Sequence, residues 1–484
     1  MKKTAFILCF ILIFPILTVC FSCGGKNADR TLYEIECSLD ENVINGKEKV
    51  EYFNDSSVSV KELKFNLFAN AFKKDAKYRP ISVSDERKAY PNGVNYGGIE
   101  ILSVKSESGD LDYSVCGEDQ NILSVKLDTE VYPEEDYTLF IEYKITIANV
   151  IARTGINDKT INLANFYPIL CARDENGFYE CLYYEYGDPY YSDCADYKVT
   201  FTYKEDYTAA ASGKLIKSEK SGGIVKNVFE IDNARSFSIT LSKEFKTVSA
   251  KIGEVDVTYY FYNDETPQNT FEKISRSIEL FSEKFGKYPY KTYSVAQSKF
   301  IQGGMEYPAM VIISDELDSS SRGEVAVHET AHQWWQTVVG NNEIKYPFLD
   351  EALAEYSTVI YYEKYPEGKL NRENMIRSSE QTYKTFCSVS DVLYQKTDTS
   401  MLRAINEYKT EYEYVNIAYV KGCIMFEYLR KSVGDKVFFE SLKNYYEEYA
   451  YKNAAPDDLV GCFERAGAEA NGFFDSFFSG KAII

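Results

Sequence analysis

"VAVHETAHQWW", residues 325–335, contains both histidines of a 484-residue chain. His328 and His332 stand four apart, with Glu329 directly after the first. On an α-helix this spacing places two imidazoles on one face, from adjacent turns, where they can grip a single metal ion. Imidazole nitrogens suit Zn²⁺, and a catalytic zinc site needs a third protein ligand and one position open to water. Glu329 projects beside the pair, where it can accept a proton from that water. The surrounding "SRGEVAVHETAHQWWQTVVGNN" reads as a helix over 321–339, with serines at its entry and Gly340-Asn341 at its exit. Farther on, "PFLDEALAEYSTVIYY" (347–362) has a second helical pattern. Eighteen residues separate His332 from Glu351 in its first turns, and Glu355 lies one turn later on the same face. A lone helical glutamate normally faces solvent, so it is the spacing that singles out Glu351.

The rest of the chain frames this constellation. A length of 484 residues implies two or three domains. The 42 tyrosines and 30 phenylalanines suit β-surfaces and aromatic clefts rather than disorder. A formal charge of −20 repels phosphate backbones and argues against a nucleic-acid partner. From Thr31 to about Lys251 the chain alternates apolar and polar residues in runs such as "YTLFIEYKITIA" and "YKVTFTY", separated by turn residues, and reads as an antiparallel β-domain. After Val255 the texture changes to a few strands and then helices, with patterns at 321–339, 349–364, 413–433, 435–450 and 456–466. That order marks an α+β domain.

At the N-terminus, Lys2-Lys3, an apolar stretch from Ala5 to Phe21 and then small residues form a signal peptide over 1–22. Ser22-Cys23-Gly24 resembles a bacterial lipobox, which makes Cys23 the lipidated residue and 23–30 a tether; Cys20 departs from the usual leucine. An uncleaved membrane anchor is the alternative. Of the remaining cysteines, Cys171, Cys181 and Cys194 are the expected place for any oxidation in an exported chain, and most are expected to be buried free thiols.

The HExxH pattern, eighteen residues and then Glu351 in "DEALAEY" together resemble the aminopeptidase N family of gluzincin zinc peptidases. The resemblance implies His328, His332 and Glu351 as ligands of one Zn²⁺ per chain, Glu329 as catalytic base and Glu355 as the carboxylate orienting a ligand histidine. "QGGMEYPAM" (302–310) is similar to the family's GxMEN motif through Gly303, Gly304, Met305 and Glu306, with Tyr307 replacing asparagine. In the family that glutamate holds the substrate's free α-amine. "NIAYVKGCIMFEYL" (416–429) resembles the Y-x-KG helix, which makes Tyr419 the donor to the oxyanion. "NFYPILCARDENGFYECLYYEYGDPYYSDCADYKVTFTY" (165–203) resembles the saddle-like β-domain of bacterial members, which often contributes a second amine-binding residue; Asp158, Asn162 and Asn165 are the candidates here. Trp334 and Trp335 are expected to pack as core on the motif's helix.

The implied architecture is an N-terminal antiparallel β-sandwich or saddle domain (31–251) followed by a thermolysin-like α+β zinc peptidase domain (252–484). The helical domain that longer members carry after this point is not expected, which suggests a more open cleft. The implied activity is removal of N-terminal residues from peptides with free N-termini by a membrane-tethered, extracytoplasmic bacterial lipoprotein of unspecified oligomeric state. A zinc endopeptidase of the same fold and a catalytically inactive peptide-binding lipoprotein are the alternatives.

Overall fold

The computed structural model describes residues 30–484, so the expected signal peptide and Cys23 lie outside the described residues. The N-terminal half is β-rich. Its largest sheet has eight strands, among them β1 (Leu32–Asp40), β2 (Val43–Phe53), β3 (Asp136–Thr146), β4 (Ala195–Lys204) and β5 (Ile224–Ala234), in the spatial order β5-β4-β1-β2-β3. The alternation seen in the sequence becomes alternation of burial: in β3, Tyr137, Leu139, Ile141, Tyr143 and Ile145 point inward while the residues between them face out. One pairing differs from the antiparallel expectation. β1 runs parallel to β4, with Ile35 opposite Val199, because the two strands come from distant parts of the chain and no hairpin fixes their direction.

The second half opens with the strands β6 (Lys246–Ile252) and β7 (Val255–Phe261), the helix α1 (Pro267–Lys284), and the strands β8 (Thr292–Ser298), β9 (Gly304–Tyr307) and β10 (Met310–Ser314). They form a five-stranded sheet in the order β6-β7-β8-β10-β9. β10 is buried on both faces and β9 occupies the edge. α1 starts with Pro267 in its first turn and stops before Gly286, whose φ of 145° and whose close approach to the Tyr446 ring exclude any side chain. The helices α2 (Ser319–Ala331), α3 (Phe348–Lys364), α4 (Arg372–Tyr394) and α5 (Gly422–Tyr449) follow. α5 breaks at Gly434 (φ 81°), the boundary expected between 413–433 and 435–450. α4, 23 residues long, is additional to the helices expected from sequence.

α2 is shorter than the 321–339 pattern implies. Asp318 caps its start by accepting the Ser321 N–H at 2.9 Å, and the helix ends at Ala331 with His332 as C-cap. Trp334 and Trp335 therefore lie beyond the helix rather than on it. Trp334 donates to Gly286 O at 2.8 Å and Trp335 to Ser357 Oγ at 3.0 Å, both rings fully buried. The turn that allows this places Gln336 at φ 107°.

The eight cysteines among the described residues are all unpaired, including Cys171, Cys181 and Cys194. Burial pushes the Cys181 thiol up to about 12, which suits a small apolar filler rather than a redox group. No helix among the described residues is long and apolar enough to cross a membrane.

Candidate active site

α2 and α3 pack together and bring the three expected ligands to one point. His328 Nε2 and His332 Nε2 lie 3.1 Å apart, and each is 3.3 Å from Glu351 Oε2. His332 Nδ1 is 3.0 Å from the carbonyl of Trp335, an acceptor only, so Nδ1 carries the proton and donates it. Its Nε2 is left as a lone pair aimed at the triangle's centre. Glu351 Oε2 is buried and has no hydrogen-bond donor of its own. Acceptor atoms facing one another in a buried pocket repel unless a cation stands among them. The edges also fit: a tetrahedral zinc with ligands at about 2.0–2.1 Å separates neighbouring ligand atoms by about 3.3 Å. The chain therefore offers a site suited to Zn²⁺.

The remaining side chains surround this triangle in a cleft of about 410 Å³. Glu329 is buried, and its Oε2 has no partner. Burial lifts its carboxyl to about 7, against the opposing pull of His328 and His332. Gly304 explains how it fits, since a Cβ at that position would stand 2.3 Å from Glu329 Oε1. Tyr419 donates to Glu351 Oε1 at 2.5 Å, and its ring lies parallel to that of His328. It sits in a π-helical segment, Asn416–Lys421, at the entry to α5, a local widening of the helix often found at functional sites.

Glu306, on edge strand β9, is buried with Oε1 unpartnered, 3.9 Å from His332 Nδ1. Burial raises its carboxyl well above the carboxylate range, and only a nearby cation would offset that cost. β9 is held against the end of α2 by Gln333, which donates from Nε2 to Tyr307 O at 3.0 Å and accepts the Ala309 N–H at 2.9 Å. The motifs do not single out Gln333, although its place directly after His332 is the signal that could have found it. The Tyr307 hydroxyl is buried and unpartnered near Arg153 and Tyr183. Glu355 Oε1 lies 3.7 Å from His328 Nδ1, on the side expected of an orienting carboxylate but longer than a hydrogen bond.

The β-half closes the other wall, but not with the expected residues. Asp158 pairs with Lys299 at 2.7 Å, while Asn162 donates to Ala152 O and accepts from Thr240 and Ser298. Neither these nor Asn165 line the cleft. Asp188 does, buried beside the site, with Oδ1 2.7 Å from Arg153 Nη2. Arg153 is fixed in turn by donating to Gly187 O at 3.0 Å. The "YGDPYY" turn carrying Asp188 is one that extended-strand patterns do not place.

The chain is similar to known peptidases in sequence and in fold. Residues 269–477 match the model of the Peptidase family M1 domain. Aminopeptidase M1-A of Oryza sativa subsp. japonica is 24% identical over 412 residues, covering 78% of this chain and 44% of that protein. Aminopeptidase N of Lactococcus lactis subsp. lactis is 28% identical over 226 residues, covering 42% of this chain and 25% of that protein. The chain thus spans less than half the length of these curated relatives. Among solved structures, the M1 zinc metallopeptidase from Deinococcus radiodurans superposes with a TM-score of 0.67 at 16% identity, covering 94% of this chain and 95% of that one. The likeness shows the fold: a β-rich domain followed by an α+β domain.

Proposed function

We propose that this chain, a member of the M1 peptidase family through its domain at residues 269–477, is a zinc-dependent aminopeptidase that removes residues from the free N-termini of peptides. The observation that carries the exopeptidase reading is Glu306, a buried carboxylate without a hydrogen-bond donor, at the inner end of the cleft beside the metal triangle. A peptide's α-amine, with a pKa of about 8, is largely protonated at neutral pH and supplies the missing charge. Asp188, held by Arg153, adds a second carboxylate from the β-half. The edge strand β9 offers backbone groups along which an extended peptide can lie.

Zinc held by His328, His332 and Glu351 supplies Lewis acidity and lowers the pKa of water to about 7. The residues of the chain do the rest. Glu306 fixes the amine, which places the first peptide bond over the triangle. Glu329, ionised, takes the proton of the attacking water and returns it to the departing amine. Tyr419 shifts its hydrogen bond from Glu351 to the carbonyl oxygen as charge builds there. Gly304 leaves Glu329 room to turn between water and leaving group.

Comparing a free peptide with its N-acetylated twin tests this reading. The zinc-loaded protein is expected to release the first residue of the free peptide and to leave the acetylated one intact. Equal cleavage of both would mark an endopeptidase, and binding without turnover an inactive peptide-binding scaffold.

The division into a β-saddle domain at 31–251 and a catalytic domain at 252–484 is supported by the change in texture near Val255 and by a separate five-stranded sheet, although the first strand of that sheet, β6, already begins at Lys246. Lys2-Lys3, the apolar run and Ser22-Cys23-Gly24 support a signal peptide, a lipid anchor at Cys23 and a place on the outer face of a bacterial membrane. Labelled fatty acid should enter the wild type and not Cys23→Ala; equal labelling of both would refute the anchor.

A further inference from the structure

The cleft has a direction. Glu306 lies beside His332, Gly304 against Glu329, and Gly303 against Val325, whose Cγ2 would stand 3.6 Å from a Cβ at that position. A peptide anchored by its amine at Glu306 and crossing the histidines therefore leaves toward Val325 and the first half of α2. Glu306 Oε1 and Glu329 Oε2, buried and without partners, mark the two points the peptide must pass. The wall beyond them carries Glu324, one helical turn before His328 on the same face, and Glu355, one turn after Glu351 on α3.

Neither glutamate is neutralised by a basic side chain. Among the described residues, no lysine or arginine lies within ion-pair distance of Glu324 or Glu355; the sole ionic neighbour of Glu355 is His328. Lys273, whose charge still reaches Glu324, makes its ion pair with Glu367 at 2.5 Å instead. Arg153, the one lysine or arginine among the residues lining the cleft, sits at the amine end and is paired with Asp188 at 2.7 Å. Glu324 and Glu355 are both half-buried and line the same cleft, so a cation bound between them meets two carboxylates. A peptide's own carboxylate finds no basic partner on this side.

We propose that Glu324 and Glu355 form a subsite for the residue following the scissile bond, selecting peptides whose second residue is lysine or arginine and disfavouring those with an acidic second residue. This rests on the aminopeptidase reading for the peptide's direction. The ammonium or guanidinium of the second residue sits between the two carboxylates while its methylenes lie along Val325 and Thr358, both in the cleft wall. The selection is electrostatic, across a partly solvated gap, and so weakens as salt rises.

The test uses four peptides. The parent is Leu-Lys-Ala-Ala-Ala-amide; two others carry glutamine or glutamate at the second position, and the fourth has its lysine moved to the fifth. Release of leucine by the zinc-loaded enzyme is measured at low salt and at high salt. We expect kcat/KM for the parent to exceed that for the glutamate peptide by about tenfold at low salt and by a few-fold at high salt. The peptide with lysine in fifth place should behave like the glutamine peptide. Glu324→Gln should remove most of the preference and Glu324→Lys should reverse it, both with unchanged hydrolysis of leucine p-nitroanilide, which has no second residue. Equal rates for the parent and the glutamate peptide, or a preference that survives in Glu324→Gln, would overturn the subsite while leaving the aminopeptidase reading intact. If no peptide and no anilide is hydrolysed, that reading fails. The subsite is then decided by equilibrium binding of the same peptides carrying fluorescein, where equal affinity for the parent and the glutamate peptide would refute it.

Discussion

Glu329→Gln is expected to lower kcat by about 10²–10⁴-fold, the usual contribution of a positioned general base, while zinc content stays at that of the wild type. The amide keeps the size of the carboxylate, so the room beside Gly304 still accommodates it. What it loses is the ability to accept a proton from water and pass it on. The wild-type profile should show an acid limb, because only the ionised carboxylate accepts a proton. Burial lifts this group to about 7 in the metal-free site, and a neighbouring dication pulls it back down. The limb should therefore fall between about 4.3, the free glutamate value, and 7. Stability has the opposite sign. A glutamate whose folded pKa is raised destabilises the fold as pH rises toward and through that value, so metal-free Glu329→Gln should gain Tm over wild type at pH 8 and not at pH 4. Retained kcat in this variant would exclude Glu329 as the base.

The second large effect is expected at Glu306. Its replacement by alanine removes the charge proposed to meet the peptide's ammonium, and truncating one partner of such a buried pair costs about 2–5 kcal/mol. That corresponds to a fall in kcat/KM of roughly 30- to several-thousand-fold for free peptides. The distinction between free and acetylated peptides should shrink at the same time, since the group that reads the amine is gone. Tm of the unliganded protein should hold or rise, because an unpartnered buried carboxylate is relieved. Steady-state kinetics on the paired peptides, with thermal melts of both proteins, measures all three. A variant that lost activity equally on every substrate and melted earlier would show Glu306 to be a structural residue instead.

The local part of this site was legible in the chain. Two histidines at i and i+4 with a glutamate between are constrained by helix geometry alone, whereas Glu351, on a separate helix, was marked by its spacing and the family resemblance; α2 and α3 place all three side chains together. What was hidden depends on tertiary partners. The 321–339 pattern looks helical throughout, yet the chain leaves the helix at His332 because Nδ1 satisfies the Trp335 carbonyl and the two indoles are buried in different directions. Asp188 lies in a turn of the β-half, and only docking of the two halves brings it into the cleft. The π-helical turn bearing Tyr419 and the parallel pairing of β1 with β4 leave no periodic trace. α4 buries only Ile376, Tyr383, Phe386 and Ser390, a stripe too sparse for hydrophobic periodicity to reveal.

The most direct test of the account is titration of the metal-stripped protein with Zn²⁺, following release of leucine from a free pentapeptide. Activity should be absent at zero metal and rise linearly to a plateau at one zinc per chain, with Glu351→Gln failing to reach it. Full turnover in the stripped protein, or a plateau that Glu351→Gln attains at the same stoichiometry, would contradict a catalytic centre built on His328, His332 and Glu351.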